Sequence, residues 1–144
     1  MSLFTAISVS ASGLEAQRAR AEVITENLAN ADTTRTPEGG PYKRKDAVFT
    51  TTPVSLSFSD TLSAASGQSD GVSVSDITVD DRDPERRYMP GHPDADAQGY
   101  VAFPRVDPAE EMVDLMSASR GYQANVAAIS SVKDMIARSI DLFR

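Results

Sequence analysis

The sequence predicts a mainly α protein with a small β module, in which long helices at the two ends of the chain pack as a coiled coil. Apolar residues recur every seven positions from Ile7 to Leu28 and again from Leu115 to Phe143, which is typical of helices that pack side by side. The middle of the chain instead alternates short apolar segments with Pro, Gly and Ser. The predicted segments are 1–34, 35–107 with a flexible Ser-rich loop over 52–71, and 108–144.

The first helix is predicted over Leu3–Ala31, with one interruption at Gly13. Two asparagines, Asn27 and Asn30, stand where this helix gives way to a Thr/Pro/Gly loop. Asparagine competes for helical backbone hydrogen bonds, so the simplest interpretation is a helix stop followed by a solvated loop. Asn27, one turn before Asn30, presents an amide beside Leu28.

The second helix is predicted from Pro108 to about Leu142. Asp107 is a suitable N-cap, and Pro108 is tolerated at the first helical position. Glu110 and Glu111 suit the positive end of the helix. Further apolar residues lie on the helix rows beside this seven-residue line: Met112, Val126, Val132 and Ile140. The helix start is therefore well defined, and its apolar face is broad.

The middle of the chain is predicted to form short strands over 42–51, 71–80 and 99–103. The alternation of Val72 and Val74 changes phase at Ile77, which predicts a bulge near Asp76. The segment 82–98 contains three prolines and a glycine and is predicted to be an extended connector.

Composition excludes several classes of protein. The net charge of −7 and the lack of a basic cluster larger than "YKRK" argue against a nucleic-acid or anionic-membrane surface. The absence of cysteine excludes disulfides, thiolate catalysis and cysteine-based zinc sites. The first residues resemble neither a cleaved signal peptide nor a membrane span, so we expect no direct membrane insertion.

The predicted helices carry more apolar surface than this chain can bury. Helices of 29 and 35 residues would be about 43 and 52 Å long, whereas a compact chain of this size has a radius of gyration of about 14 to 15 Å. The apolar rows are also wider than one two-helix seam. The sequence therefore predicts contacts with other subunits.

Candidate catalytic groups are few. His92, Asp94 and Asp96 lie on a Pro-rich turn without the spacing of a metal site, so we expect a capped surface turn and no metal or cofactor. Serines of the second helix have no histidine close in sequence, which leaves a nucleophile without support. Arg120 and Tyr122 are either ordinary helix residues or an interface anchor.

Three motifs carry a resemblance to a known family. "ENLANADT" at Glu26–Thr33, after an amphipathic helix, resembles the signature of the flagellar rod and hook axial proteins. "PGHPDADAQGYV" and "SASRGYQAN" are similar to the proximal-rod branch of that family. The resemblance covers the first 50 residues and the chain from Tyr88 onward, but hardly 52–70, and Arg105 departs from it.

The resemblance implies a structural subunit, not an enzyme, whose terminal helices form the inner tube of the proximal rod and transmit torque from motor to hook. It implies export through the flagellar type III apparatus without a cleaved signal peptide, a rod within the periplasm, and contacts with copies of itself and with FlgB, FlgF and FliE. Under it, the asparagine amides bind backbone or neighbouring subunits. The expected packing residues are Ile7, Leu14, Ile24, Asn27, Leu28, Asn30, Met112, Leu115, Arg120, Tyr122, Asn125, Ile129 and Ile136.

The sequence leaves other functions open. Another rod or hook-junction subunit shares the terminal motifs. A small enzyme using the His92 turn and a free-standing coiled-coil adaptor belong to different classes.

Overall fold

Two long helices and two small antiparallel sheets make up the computed structural model, which describes residues 3–53 and 70–141. This composition confirms the predicted mainly α fold with a small β module. In chain order the elements are α1 (Leu3–Ala29), β1 (Lys45–Pro53), β2 (Asp70–Val79), β3 (Glu85–Tyr88), β4 (Tyr100–Phe103) and α2 (Pro108–Asp141).

α1 and α2 pack against each other in antiparallel orientation. Asn27 near the end of α1 contacts Glu111 near the start of α2, whereas Gly13 lies against Asn125, about four helical turns further along the pair. By the same spacing, Leu3 lies opposite about residue 135, because each helix advances about 1.5 Å per residue. The last residues of α2 therefore extend beyond the start of α1.

Small residues let the two helix backbones approach closely. A Cβ atom on Gly13 would lie 2.9 Å from Nδ2 of Asn125, and one on Gly121 would lie 3.1 Å from Cδ of Gln17. Ala16 and Ala118 are both buried. Gly13, predicted as an interruption, is thus a close-packing position inside a continuous helix.

The helix ends follow from local hydrogen bonds. α1 stops at Ala29, two residues before the predicted end, because residues 30–32 form a turn in which the Asn30 amide donates to the Glu26 carbonyl at 2.9 Å. α2 begins at Pro108 as predicted, and the Asp107 carboxylate accepts the Ala109 amide at 2.8 Å. The predicted N-cap is confirmed.

The β1–β2 hairpin lies against α1. The Ser12 hydroxyl accepts the Val72 amide at 3.0 Å. The register shifts between Val48 and Phe49, opposite Asp76 and Val74, so that Ser75 is the extra residue. This confirms the bulge predicted near Asp76.

Both ends of the predicted loop 52–71 were wrong. Thr52 pairs with Gly71 and Pro53 with Asp70, so these residues extend the hairpin. The rest of that prediction, residues 54–69, lies outside the described residues. The first strand also begins three residues later than predicted, at Lys45.

The connector predicted over 82–98 contains a strand that the sequence analysis missed. β3 pairs with β4, which confirms the last predicted strand to within one residue. All four β3 side chains are exposed, so no apolar alternation marks the strand. Cross-strand contacts hold it instead: the Arg87 guanidinium lies 4.8 Å from the Phe103 ring centre, and Tyr88 packs edge-on to Tyr100 at 5.3 Å.

We expect Gly13→Val to lower the free energy of unfolding by about 1 to 3 kcal/mol, because the new side chain overpacks the seam at Asn125. Gly121→Ala is the matched control. Gln17 is flexible and alanine favours helix by about 1 kcal/mol, so stability should stay within about 1 kcal/mol of the parent. Urea unfolding followed by circular dichroism measures both. Equal losses would contradict the close-packing role of Gly13.

Candidate functional site

A buried asparagine joins α1 to the start of β1 and to α2. The Asn27 side chain has no exposed surface and makes four hydrogen bonds. Its Nδ2 donates to the Lys45 carbonyl at 2.8 Å and to Oε2 of Glu111 at 3.3 Å, and its Oδ1 accepts the Tyr42 hydroxyl and the Lys45 amide, both at 2.9 Å. These contacts use both donors and both lone pairs of the amide.

The carboxylate that faces Asn27 is also fully buried and is paired. Nε of Arg44 donates to Oε1 of Glu111 at 2.6 Å. The Arg44 guanidinium also pairs with Asp46 and lies 3.9 Å from Asp114, which accepts Nη2 of Arg20 at 3.4 Å. A buried charge without a partner is costly, so this chain of ion pairs allows Glu111 to sit inside the protein.

Tyr42 closes the junction on the loop side. Its side chain is buried, and its hydroxyl donates to Asn27. Burial, together with the nearby charges of Glu26 and Glu111, raises the pKa of Tyr42 to about 12. Each of these causes disfavours a phenolate at this position.

The second asparagine has a different task from the first. Asn30 is half-buried; its amide nitrogen donates to the Glu26 carbonyl, and its Oδ1 accepts the Thr33 hydroxyl at 3.2 Å. Both contacts are local and end the helix. The two interpretations of the asparagine pair thus divide between the residues: Asn30 stops α1, and Asn27 makes specific packing contacts within the chain.

The His92 turn is tied to the loop that follows α1. The Asp94 carboxylate accepts the Thr34 hydroxyl at 2.8 Å, and the Asp94 amide donates to Nδ1 of His92 at 3.2 Å. Oδ1 of Asp96 accepts the amides of Gln98 and Tyr100. The polar groups of this segment cap its turns, which confirms the predicted capped turn. Within residues 3–53 and 70–141, no cluster of three His, Cys, Asp or Glu residues could hold a metal ion.

A groove of about 560 Å³ runs between α1 and α2. Arg18 and Ala21 lie on its α1 side, and Leu115, Ala118, Ser119 and Tyr122 lie on its α2 side. Arg18 is paired with Glu22 at 2.9 Å. Ile7, Leu14 and Leu28 lie on the same seven-residue line as Ala21. Ile129 and Ile136 continue the line of Leu115 and Tyr122, so the two predicted apolar lines border this side of the helix pair.

The residues expected to pack subunits differ in burial. The central line of contact is offset from the predicted lines and includes Glu111, Ala118, Asn125 and Val132 on α2. Among the expected residues, Ile24 and Asn27 are buried; Ile7, Leu14, Leu28, Asn30, Leu115, Asn125, Ile129 and Ile136 are half-buried; Met112, Arg120 and Tyr122 are exposed. Their role between subunits stays a prediction.

Sequence reasoning missed three members of the junction: Tyr42, Arg44 and Glu111. Tyr42 and Arg44 were assigned to a strand, and Glu111 was assigned only to the favourable end of the α2 dipole. One signal was available, since Glu111 stands seven residues before Ala118 and four before Leu115. That position lies on the inner face of α2, where a carboxylate requires a partner.

Comparison with known proteins identifies the family. A family model described as "Flagella basal body rod protein" matches residues 7–35, and one described as "Flagellar basal body rod FlgEFG protein C-terminal" matches 97–142. The flagellar basal-body rod protein FlgC of Bacillus subtilis is 43% identical over 99% of both chains. The chain belongs to the FlgC family of flagellar basal-body rod proteins.

Other FlgC relatives match over the same extent. The FlgC of Borreliella burgdorferi is 40% identical, over 100% of this chain and 99% of that protein, and the FlgC of Salmonella typhimurium is 41% identical, over 99% and 98%. The predicted resemblance is thus confirmed, and the near-complete coverage favours FlgC over other rod or hook-junction proteins. In the described part of the chain, neither helix is long and apolar enough to cross a membrane.

We expect Asn27→Ala to lower the free energy of unfolding by about 3 kcal/mol, because buried groups left without partners each cost about 1 to 3 kcal/mol. Asn30→Ala, the matched control, removes only local contacts and should cost about 1 kcal/mol or less. Urea unfolding followed by circular dichroism compares the two variants. A loss at position 30 as large as that at position 27 would contradict the division of roles.

Because the Tyr42 hydroxyl is buried and holds its proton, we expect the protein to lose stability at alkaline pH. An unfolded tyrosine releases its proton near pH 10, whereas the folded one holds it to about pH 12, so the unfolded state binds fewer protons between these values. The contribution of the protonated Tyr42 hydroxyl to the free energy of unfolding is complete below pH 10, and it decreases by roughly 2 to 3 kcal/mol as the pH rises through 12. Tyr42→Phe should be less stable at pH 8 but show a smaller alkaline decrease. The free energy of unfolding of both proteins is measured against pH. The same alkaline decrease in both would contradict the assignment of this decrease to Tyr42.

Proposed function

We propose that this rod subunit assembles helically through its two terminal helices, that the helices form the inner tube of the proximal rod, and that the tube transmits torque from motor to hook. In this proposal the assembling segments are 1–34 and 108–144, packed as a coiled coil, and the β module lies outside. The role is structural and not enzymatic.

One observation carries the proposal. α1 and α2 are joined by a buried polar junction and a close seam, yet one side of the pair keeps an open groove bordered by two apolar lines. Met112, Met116, Val126 and Ile140 are each about half exposed on α2. Apolar faces of this kind are typical of helices that pack further helices, and this chain has no third long helix among its described residues.

The match of the family models to both ends of the chain supports the same segments. We propose as neighbours further copies of this chain and the rod components FlgB, FlgF and FliE. A contact between unlike surfaces that does not close into a ring generates an open helical assembly, which fits a tube.

We further propose that the subunit passes through the flagellar type III export apparatus without a cleaved signal peptide and resides in the periplasmic part of the basal body. The near-full-length match to flagellar basal-body rod proteins supports this location.

We expect Ile129→Asp to abolish incorporation into basal bodies and motility, because it places an unpaired charge among apolar helix contacts. Ile129 is half-buried on the apolar line of α2 that borders the groove. Detergent extraction of basal bodies followed by mass spectrometry measures incorporation, and a swimming assay measures motility.

Ile129→Leu is the matched control and should behave as the parent, since leucine keeps the volume and the apolar character. The β1–β2 hairpin should remain folded in both variants. Wild-type motility of Ile129→Asp would refute the placement, and absence of the parent chain from purified basal bodies would refute the rod assignment.

A further inference from the structure

The start of α1 carries the most exposed large apolar side chain of the described residues. Phe4 is 72% exposed, and Leu3 beside it is 41% exposed. No charged residue occurs between Leu3 and Leu14. An uncharged helical segment with a projecting aromatic ring is suited to enter an apolar groove, where a charge would be costly.

The groove between α1 and α2 has matching properties. Small side chains, Ala21, Ala118 and Ser119, allow close approach, and Leu115 and Tyr122 provide apolar walls. Tyr122 is 43% exposed and presents a ring against which another aromatic can pack. Arg18 at the rim already pairs with Glu22, so filling the groove would not leave this cation without a partner.

Phe4 cannot fill the groove of its own chain. The antiparallel pairing places Phe4 opposite about residue 134, roughly 22 Å along α2 from Ser119 at 1.5 Å per residue. The β1–β2 hairpin contacts α1 at Ser12, where the Val72 amide donates to the Ser12 hydroxyl, about two helical turns from Phe4. The projecting ring and the groove therefore stay separate within one copy.

We propose that the first turns of α1 of one copy dock in the α1–α2 groove of a second copy, with Phe4 against Tyr122. Phe4, Ile7 and Ala11 follow the spacing of three and four residues by which a helix enters a groove. The inference rests on the proposed function and names one contact within it. Because the docked segment and the groove are different surfaces, each copy offers one of each, and the contact can repeat without closing.

Cysteine cross-linking tests the contact directly, because the chain has no cysteine of its own. Cells lacking the native chain express two single variants together, Phe4→Cys and an epitope-tagged Ser119→Cys. Basal bodies are extracted and treated with a short bis-maleimide. We expect a cross-linked dimer of tagged and untagged chains. Thr50→Cys, an exposed position on β1, replaces Ser119→Cys in the control, where the dimer should be lost.

A second pair of variants tests the groove without changing Phe4. Ser119 is exposed, so Ser119→Trp should leave the helix content unchanged by circular dichroism but block incorporation into basal bodies by filling the groove. Ser117→Trp adds the same side chain at an exposed position of α2 that does not line the groove, and it should incorporate as the parent does. Normal incorporation of Ser119→Trp would overturn the proposal.

The outcomes separate this inference from the rod assignment. If both cysteine variants are present in basal bodies but no dimer forms, or if Phe4→Cys is linked to a different protein by mass spectrometry, the contact between copies is wrong and the rod role stands. If the parent chain is absent from basal bodies, the proposed function itself fails.

Discussion

The fold depends on one buried polar junction, in which Asn27, Arg44 and Glu111 satisfy one another. Asn27 belongs to α1, Glu111 to α2, and Arg44 to the segment that leads into β1, so a single set of contacts fixes three parts of the chain. Apolar contacts tolerate sliding by a turn, whereas a buried carboxylate tolerates only the register in which its partners are present. The junction therefore determines which residues of the two helices face each other.

The close seam beyond the junction follows from that register. Gly13 reaches Asn125, and Gly121 reaches Gln17, only if the helices are aligned by the Asn27–Glu111 contact. A shift of a few residues would place larger side chains where the backbones now approach. Polar specificity at one end and small residues along the seam thus act together, the first selecting the alignment and the second allowing close packing.

The sequence predicted the long helices, the α2 cap and the β-bulge, because periodicity and capping are local signals that a few neighbouring residues carry. It could not predict β3, whose four exposed side chains depend on pairing with β4, or the offset of the central seam line from the strongest apolar lines. The buried polar junction could not be predicted for a related reason. A glutamate near the start of a helix is ordinarily explained by its favourable interaction with the helix dipole. Glu111 is a core residue only because the folded chain brings Arg44 and Asn27 into contact with it.

The unequal length of the two helices has a mechanical consequence. α2 extends beyond the start of α1, so the end of the pair is stepped instead of blunt. In the proposed assembly such stepped ends would overlap, and a twisting load across the joint would be shared as shear over many side-chain contacts. A blunt joint would concentrate the same load on a few residues at the helix tips. In a rod built from such units, stiffness is a property of the overlap length as much as of the strength of any one contact.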